Sequence, residues 1–433
     1  MLRIFLSLTV LGPSVFFSQA KNLPGRAGKS FEWEALPPAL YDVLFDREFL
    51  FTVPKGPLKG IIFAFPGCFQ HPAQWGFTSS HCPLCAGLPE ELLIVATAVQ
   101  RKYAVVTVGP HLSGDIYMCW QKTWPPEANI EIPELKRAIR HVLEERNWWR
   151  LPRYFYGSSA GGAAALLLAT RFPVQAVASM FMGFKPDEMY KEEKLVSRNI
   201  DREEGLNQWP FPPVFLLEAA IDQPEYGERI HKTLGFLKEQ GVHAEHMILQ
   251  PHPLHPLFFS ERIAEIDPAL SAALYEDLRA AGFINATGYS DYLTIMLEDP
   301  DEEAAREVVM RDKLYNVLEK HFSQKMGIRG PLHDGYMRVF IELFRASQGN
   351  HEIRGKEMDL IIDFFEQNSV PDLERINGNT HDLVGQADSQ AEVLIRKTGL
   401  EDIMQREPGP LSHTEGIALW KLWIPSRRGH LLS

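Results

Sequence analysis

The residues best suited to chemistry lie in the segment Gly157-Ser158-Ser159-Ala160-Gly161, which fits the pattern G-x-S-x-G with Ser159 at its centre. In this pattern the serine occupies a strained turn from a strand to a helix, and small neighbours let the backbone pass closely. The hydroxyl then points away from the sheet, and the N-terminus of the following helix can stabilise negative charge. Because a strand-like run precedes the motif and an Ala/Leu-rich helical run follows it, we predict that Ser159 is a nucleophile.

An acidic partner for such a serine is expected just after a later strand, in the chain order serine, acid, histidine. Asp222 follows the apolar run PPVFLLEAA, which is typical of a buried strand. We therefore predict Asp222 as the acid. Glu218, inside the same run, is the alternative acid, and a helix cap is the non-catalytic interpretation of Asp222.

A histidine that accepts the serine proton is expected on the loop after the last strand. The segment HMILQPHPLHPLFF ends a strand-like run and contains both His252 and His255. His255 lies farther along the loop, where the chain can return its ring to Ser159, as the geometry of a catalytic triad demands. We therefore predict His255 as the base, with His252 as the alternative.

Two backbone amides would have to hold the negative oxygen that forms when a serine attacks a carbonyl group. One is the amide of Ala160, the residue after the serine, and the other comes from the loop after an earlier strand. The turn FPGCFQ ends the apolar run GIIFAF, and Gly67 lets the backbone bend there. We predict the amide of Cys68, or that of Phe69, as the second donor. A plain Pro-Gly turn that only ends the strand is the alternative interpretation.

The segment 1–20, MLRIFLSLTVLGPSVFFSQA, has the layout of a secretory signal. It contains one basic residue, an apolar stretch from Ile4 to Phe17, and small residues at Ser18 and Ala20, so we expect cleavage after Ala20. The apolar stretch is shorter than the about 20 residues that span a bilayer, and an uncleaved anchor is the alternative. We therefore expect a protein that is secreted or held in the lumen of the secretory pathway, with no membrane span in the mature chain.

If the chain is exported, its cysteines are expected to form disulfides, because oxidising compartments favour them. The four cysteines lie within one stretch of the chain: Cys68, Cys82, Cys85 and Cys119. An even count predicts two disulfides, and three pairings are open. A zinc site built from Cys82-x-x-Cys85 with His81 and His71 is the alternative. Asn285-Ala286-Thr287 is a glycosylation acceptor, which fits an exported chain.

The elements that would position these residues alternate between strand-like and helix-like segments. The strand-like runs are EFLFTVP and GIIFAFPG, expected as a hairpin around KGPLK, followed by YAVVTVG, RYFYG, AVASMFM, PPVFLLEAA and AEHMILQ. Helical periodicity marks the segment 131–146 and a second segment from about Glu225 to Gly241. This alternation predicts an α/β fold with a doubly wound, mostly parallel sheet and helices on both of its faces.

After residue 260 the pattern changes to helical stripes, with no strand-like run of comparable strength. The stripes lie at 270–278, 336–344 and 358–365. We therefore predict a signal segment at 1–20, an α/β domain at 21–260 and a mostly helical C-terminal region at 261–433.

The order of these elements and the GSSAGG turn resemble the α/β-hydrolase superfamily over residues 45–260. Within it, the segments FAFPGCFQHPAQWG, MCW and YGSSAGG resemble secreted polyhydroxyalkanoate depolymerases and feruloyl-esterase-like lipases, which carry an H-G-C-x-Q loop after the third strand. Pro66 stands here in place of that histidine, so the loop matches in Gly67, Cys68 and Gln70. Over more of its length the chain also resembles a group of exported α/β-hydrolase-like proteins of plants and algae without an established reaction.

The composition and the motif together reduce the number of possible function classes. The formal net charge of −12 and the lack of a Lys/Arg cluster argue against a nucleic-acid partner. The residues imply no metal and no organic cofactor, and they leave the oligomeric state open. The motif and the resemblance imply a serine hydrolase that cleaves a small-molecule or polymer carboxylic ester through an acyl-enzyme. The alternative is a non-catalytic protein of the same fold that binds through the same pocket or through the helical region.

Overall fold

The computed structural model of this protein describes residues 33, 36–112, 119–121, 129, 131–184, 196–198, 208–292, 300–326 and 331–368. The segment 1–20, predicted as a signal, lies outside these residues. The strands are β1 (Leu40–Leu44), β2 (Arg47–Thr52), β3 (Gly60–Phe65), β4 (Tyr103–His111), β5 (Arg153–Ser158), β6 (Ala176–Met180), β7 (Val196–Arg198), β8 (Gln208–Pro210), β9 (Val214–Ala219) and β10 (Ala244–Leu249). The α-helices are α1 (Pro89–Gln100), α2 (Glu131–Glu145), α3 (Ala160–Ala169), α4 (Pro224–Glu239), α5 (Pro268–Ala280), α6 (Pro300–Met326), α7 (Pro331–Gln348) and α8 (Met358–Gln367).

Eight of these strands form one sheet in the order β1-β2-β4-β3-β5-β6-β9-β10. The pairs β1–β2 and β2–β4 are antiparallel, and every other pair in this sheet is parallel. The predicted α/β class with a mostly parallel sheet is therefore confirmed. Because β3, β5, β6, β9 and β10 run in one direction, the loops that follow them meet at one edge of the sheet, the carboxyl edge.

The predicted hairpin of β2 and β3 is wrong, because β4 lies between these strands. Val106 of β4 pairs with Phe51 of β2 on one side and with Phe63 of β3 on the other. The true hairpin joins β1 to β2 through Phe45 and Asp46, which both have a φ of 53°. The apolar, β-branched run of β4 is buried on both faces, which suits a strand in a sheet that helices cover on both sides.

Apolar side chains cover both faces of the sheet, since the side chains of a strand alternate between its faces. Helices α2, α3 and α4 pack on one face, and their buried residues belong to one cluster with Phe63, Val106 and Leu216. Helices α1 and α8 pack on the other face, against Ile62 and Leu217. The two clusters form the layers of a doubly wound fold, in which the sheet holds the carboxyl-edge loops in place.

The helical stripes after residue 260 correspond to α5, α7 and α8, and the structure adds the long helix α6 between them. A third apolar cluster joins α5, α6 and α7, with Leu274, Leu318 and Phe340 fully buried in it. Helix α8 instead returns to the sheet, where the ring of Phe365 stacks on that of Tyr154 with centroids 4.7 Å apart. The chain after the boundary predicted at residue 260 thus contributes a helix to the layer beneath the sheet. Along the described residues, no helix has the length and apolar character that crossing a bilayer requires.

Candidate active site

Ser159 lies in a sharp turn between β5 and α3, with φ of 52° and ψ of −122°. A non-glycine residue in this region carries backbone strain, which persists only where the surrounding structure imposes it. Here the amide of Ser159 donates to the carbonyl of Met180 at the end of β6, over 2.7 Å. Ser159 is half-buried between the buried residues Ser158 and Ala160. The turn therefore leaves the Ser159 side chain within reach of a ligand at the carboxyl edge.

The glycines of the motif allow the chain to pass this closely. A Cβ atom on Gly157 would lie 2.2 Å from the carbonyl oxygen of Gly161, and a Cβ atom on Gly161 would lie 1.9 Å from the carbonyl oxygen of Phe65. Both contacts are with backbone atoms, which cannot move aside without opening the turn. The spacing G-x-S-x-G thus has a direct steric cause in this chain.

Ser158, the residue before Ser159, is almost fully buried. Its hydroxyl donates to Oε1 of Gln70 over 3.1 Å, and the same oxygen accepts the amide of Gly67 over 2.7 Å. Gln70 therefore connects the turn at the end of β3 to the residue before Ser159. This arrangement supports Ser159, rather than Ser158, as the residue whose hydroxyl is available.

The two amides predicted to hold an oxyanion lie on the two segments that Gln70 connects. Ala160 is the first residue of α3, so its N–H has no acceptor within the helix. Cys68 occupies the turn from Gly67 to Gln70, which the bond from the Gln70 amide to the Gly67 carbonyl closes at 3.3 Å. A Cβ atom on Gly67 would lie 3.3 Å from Cβ of Ser159, so the backbone of this turn passes directly beside the serine.

Two further contacts hold the same turn from its other side. Cys68 forms a disulfide with Cys119, and the indole N–H of Trp120 donates to the carbonyl of Pro66 over 2.8 Å. The turn is therefore fixed independently of any ligand, as an oxyanion site requires.

The second disulfide joins Cys82 to Cys85 and resolves the alternative of a zinc site there. Sulfurs joined to each other are not the thiolates that bind zinc. His71, the proposed partner in that site, lies with its Nε2 2.7 Å from Glu48, and its Nδ1 accepts the amide of Ala73 at the start of a short 3₁₀ turn. The structure thus replaces the zinc interpretation with two disulfides, as the even cysteine count predicted.

Asp222 lies after β9 at the carboxyl edge, and its partner is a histidine that the sequence analysis did not identify. Oδ2 of Asp222 is 2.7 Å from Nδ1 of His351, while Oδ1 accepts the amide of Gln223 over 2.8 Å. The Asp222 side chain is 8% exposed. A proton on Nδ1 of His351 satisfies this carboxylate and leaves Nε2 as the ring nitrogen that can accept a proton.

His351 also contacts the segment that positions Ser159. Its ring lies 4.9 Å from that of Phe181 and 5.0 Å from that of Tyr226, measured between centroids. Phe181 directly follows Met180, whose carbonyl holds the Ser159 amide. Ser159 and the Asp222–His351 pair therefore lie on segments that meet at the ends of β5, β6 and β9.

The loop that carries His351 is held at both ends. Before the histidine, the carbonyl of Gly349 accepts the amide of Ile221 over 2.9 Å, beside the end of β9. After it, the amide of Gly355 donates to Glu90 of α1 over 2.7 Å, and Arg354 donates to the carbonyl of Gln250 over 3.0 Å. These bonds fix the loop between the sheet edge and α1, so the position of His351 does not depend on its pair with Asp222 alone.

His255 and His252, predicted as base and alternative base, lie apart from Asp222. The Nε2 of His255 is 3.3 Å from Glu261, and its side chain is 49% exposed. The backbone amide of His252 donates a hydrogen bond to the carbonyl of Ser347 over 2.8 Å. Burial lowers the pKa of the His252 ring to about 3. The structure therefore moves the histidine partner of Asp222 from the loop directly after β10 to residue 351. The chain reaches that residue only after α5, α6 and α7, and the sequence signal was limited to a histidine in the segment QGNHE after a helical stripe.

Glu218, the alternative acid, lies on the sheet face covered by α4 rather than at the carboxyl edge. Its Oε2 is 2.7 Å from Nε2 of His246 and 3.3 Å from Nε2 of His231.

Asn285, the predicted glycosylation site, lies in a turn where its Oδ1 accepts the hydroxyl of Thr287 over 2.8 Å. Neither residue contributes to the group around Ser159.

The strand order, with its antiparallel second strand and a serine turn after β5, defines a protein of the α/β-hydrolase fold.

Neither a protein-family model nor a curated protein matches the sequence. Among solved structures, the chain is similar to a thermostable esterase, at 14% identity and a TM-score of 0.35, over 50% of this chain and 55% of that one. It is similar to esterase PE8 at 13% identity and a TM-score of 0.34, over 55% and 99%. It is also similar to an alpha-beta serine hydrolase homologue from Coxiella burnetii at 15% identity and a TM-score of 0.33, over 54% and 95%. The chain thus spans about half the length of the thermostable esterase, and the fold assignment rests on the strand order.

Proposed function

We propose that this protein is an exported serine hydrolase that cleaves a carboxylic ester through an acyl-enzyme at Ser159. The observation that carries the proposal is the pair of Asp222 and His351, 2.7 Å apart, at the sheet edge where the strained Ser159 lies. The three residues follow one another in the chain order serine, acid, histidine, which is the order of the α/β-hydrolase triad.

The roles follow from the contacts of each group. Asp222 engages Nδ1 of His351, so Nε2 is the nitrogen that removes the proton from the Ser159 hydroxyl as its oxygen attacks the ester carbonyl. The carbonyl π electrons move onto oxygen, and the amides of Ala160 and Cys68 hold the resulting oxyanion. The imidazolium then gives its proton to the alkoxide leaving group, which departs as an alcohol and leaves the acyl-enzyme.

The second half of the cycle reverses these roles. Water loses its proton to Nε2 of His351 while its oxygen attacks the acyl carbon. The imidazolium returns that proton to the Ser159 oxygen as the acid product leaves. The Asp222 carboxylate keeps its charge throughout and stabilises each imidazolium. None of these reaction steps requires a metal or an organic cofactor.

Export is the second part of the proposal. It is supported by the predicted signal at 1–20 and by the two disulfides, Cys68–Cys119 and Cys82–Cys85. N-terminal sequencing of the exported protein should begin near Lys21. Its mass should rise on reduction by the four hydrogens of two disulfides, and a chain that still starts at Met1 would contradict the proposal.

A fluorophosphonate probe tests the chemistry, because it reacts with an activated serine. The wild-type protein should be labelled once, and Ser159→Ala should abolish labelling while Ser158→Ala retains it. His351→Ala should slow labelling by orders of magnitude, and His255→Ala, a matched control on a neighbouring loop, should not. A wild-type protein that reacts neither with the probe nor with a short-chain aryl ester would refute the proposal in favour of a non-catalytic binding protein of the same fold.

A further inference from the structure

Glu218, His231 and His246 form a group of side chains on the sheet face that α4 covers, separate from the residues around Ser159. Glu218 of β9 and His246 of β10 lie on the same face, because Leu216 and Ala244, two residues earlier on each strand, both pack in the cluster on that face. His231 comes from α4, the helix that connects these two strands and covers them. One βαβ unit therefore brings two imidazoles and one carboxylate together.

The distances within this group match those of a metal site. Oε2 of Glu218 is 2.7 Å from Nε2 of His246 and 3.3 Å from Nε2 of His231, and the three ligand atoms all lie within 4.8 Å of one another. In a tetrahedral zinc site, with bonds of about 2.0–2.1 Å, ligand atoms are separated by about 3.3 Å. The side chains therefore need only small movements to surround one ion.

The environment of the three residues also fits a site of this kind. The side chains of Glu218 and His246 are 14% and 15% exposed, whereas that of His231 is 57% exposed. Two ligands are thus held by the sheet, and the third faces solvent, where an ion can enter and a water molecule can complete its coordination. A carboxylate inside a strand is costly to bury without a partner, and here both of its neighbours are imidazoles.

Gly227 of α4 lies directly against the carboxylate of Glu218. A Cβ atom at this position would lie 2.7 Å from Oε1 of Glu218. Glycine in a helix costs about 1 kcal/mol relative to alanine, so a helical glycine usually has a packing reason. At Gly227 that reason is the room occupied by Glu218.

We propose that Glu218, His231 and His246 bind a divalent transition-metal ion, with zinc as the ion that two imidazoles and a carboxylate suit best. Residues 218, 231 and 246 lie far apart in the chain and do not form a compact motif, so their spacing does not indicate a metal site. Two imidazole ligands exclude a preference for Mg²⁺ or Ca²⁺, which favour oxygen ligands. The bound ion would fasten α4 to β9 and to β10, the edge strand of the sheet.

The test uses the mature protein without a histidine tag, treated with a chelator and then titrated with Zn²⁺ by calorimetry. One ion should bind per chain, and Mg²⁺ should not. His231→Ala should weaken the affinity by at least about 100-fold, since loss of even a partner that only orients a ligand costs about 10–100-fold. Because His231 is exposed, this variant should fold, and its circular dichroism should match that of the wild type.

His243→Ala is the matched control. His243 lies 3.2 Å from Glu245 and is also a half-exposed histidine paired with a glutamate, but among the residues that the structure describes no third ligand accompanies the pair. Zinc affinity should be unchanged in this variant. Zinc should also raise the melting temperature of the wild type by several degrees, and that of His231→Ala much less, because an ion that binds only the folded state stabilises it. Failure of the wild type to bind Zn²⁺, or equal affinity in His231→Ala, would overturn the proposal, whatever the result with esters.

Discussion

Asp222→Asn is the substitution that tests the proposed triad most directly, because it keeps the shape of the side chain and changes one hydrogen bond. Oδ1 of Asp222 accepts the amide of Gln223 over 2.8 Å, and Oδ2 lies 2.7 Å from Nδ1 of His351. An asparagine must keep its oxygen toward the Gln223 amide, because an NH₂ group cannot accept that bond. Its NH₂ group therefore faces Nδ1 of His351.

This orientation reverses the tautomer of the imidazole. Nδ1 now accepts a hydrogen bond, so the proton of the neutral ring moves to Nε2, and Nε2 can no longer take the proton of Ser159. The corresponding substitution in Ser-His-Asp triads lowers kcat by about 10⁴, which is about 5 kcal/mol of transition-state stabilisation. We expect a loss of that size in kcat for a short-chain aryl ester, with little change in melting temperature.

Asp267→Asn is the matched control. Asp267 caps α5, where its Oδ1 accepts the amide of Leu270 over 2.8 Å, and asparagine caps a helix about as well as aspartate. This variant should keep both kcat and melting temperature. If Asp222→Asn retained a kcat within tenfold of the wild type, Asp222 would not orient a catalytic base, and the contact between Asp222 and His351 would have no catalytic role.

The remaining predictions concern stability. Burial, with the nearby charge of Glu342, raises the pKa of Glu352 to about 8 from 4.5. The folded protein therefore binds a proton that the unfolded chain has lost, so stability should fall as the pH rises from about 4.5 to about 8, and Glu352→Gln should flatten this dependence in thermal melts. Gly161→Ala should prevent folding or lower the melting temperature sharply, since its Cβ atom would lie 1.9 Å from a backbone oxygen, whereas Gly235→Ala, a helical position with open space, should not. A slope unchanged in Glu352→Gln, or a Gly161→Ala variant as stable as Gly235→Ala, would contradict these assignments.

Much of the α/β fold follows from local sequence. The runs GIIFAF and YAVVTV are apolar at successive positions, which predicts strands buried on both faces, and the structure places β3 and β4 there. The pattern of strand pairing is not local. Nothing in the residues of β2 indicates that its neighbours are β1 and β4 rather than the strand that follows it, so a short turn-rich link was interpreted as a hairpin.

The residues of the candidate site also differ in how far the local sequence determines their positions. The serine turn is contained in five consecutive residues, because the close approach of Gly157 and Gly161 is a property of that turn. The place of Asp222 at the carboxyl edge could be anticipated because it follows its strand within three residues, and its role as the acid stays a prediction. Both predictions depended on short stretches of chain whose geometry the local residues determine.

The histidine depends on a connection that the local residues do not determine. A triad needs its base to reach the carboxyl edge after the last strand, but it sets no limit on the length of chain in between. Here α5, α6 and α7 form their own apolar cluster between β10 and residue 351, so a histidine close in sequence to β10 pairs elsewhere. What returns the chain to the edge is a set of backbone contacts, from Gly349 to Ile221 and from Gly355 to Glu90. These contacts join residues more than 100 positions apart, and they, rather than the spacing from the last strand, determine which histidine meets Asp222.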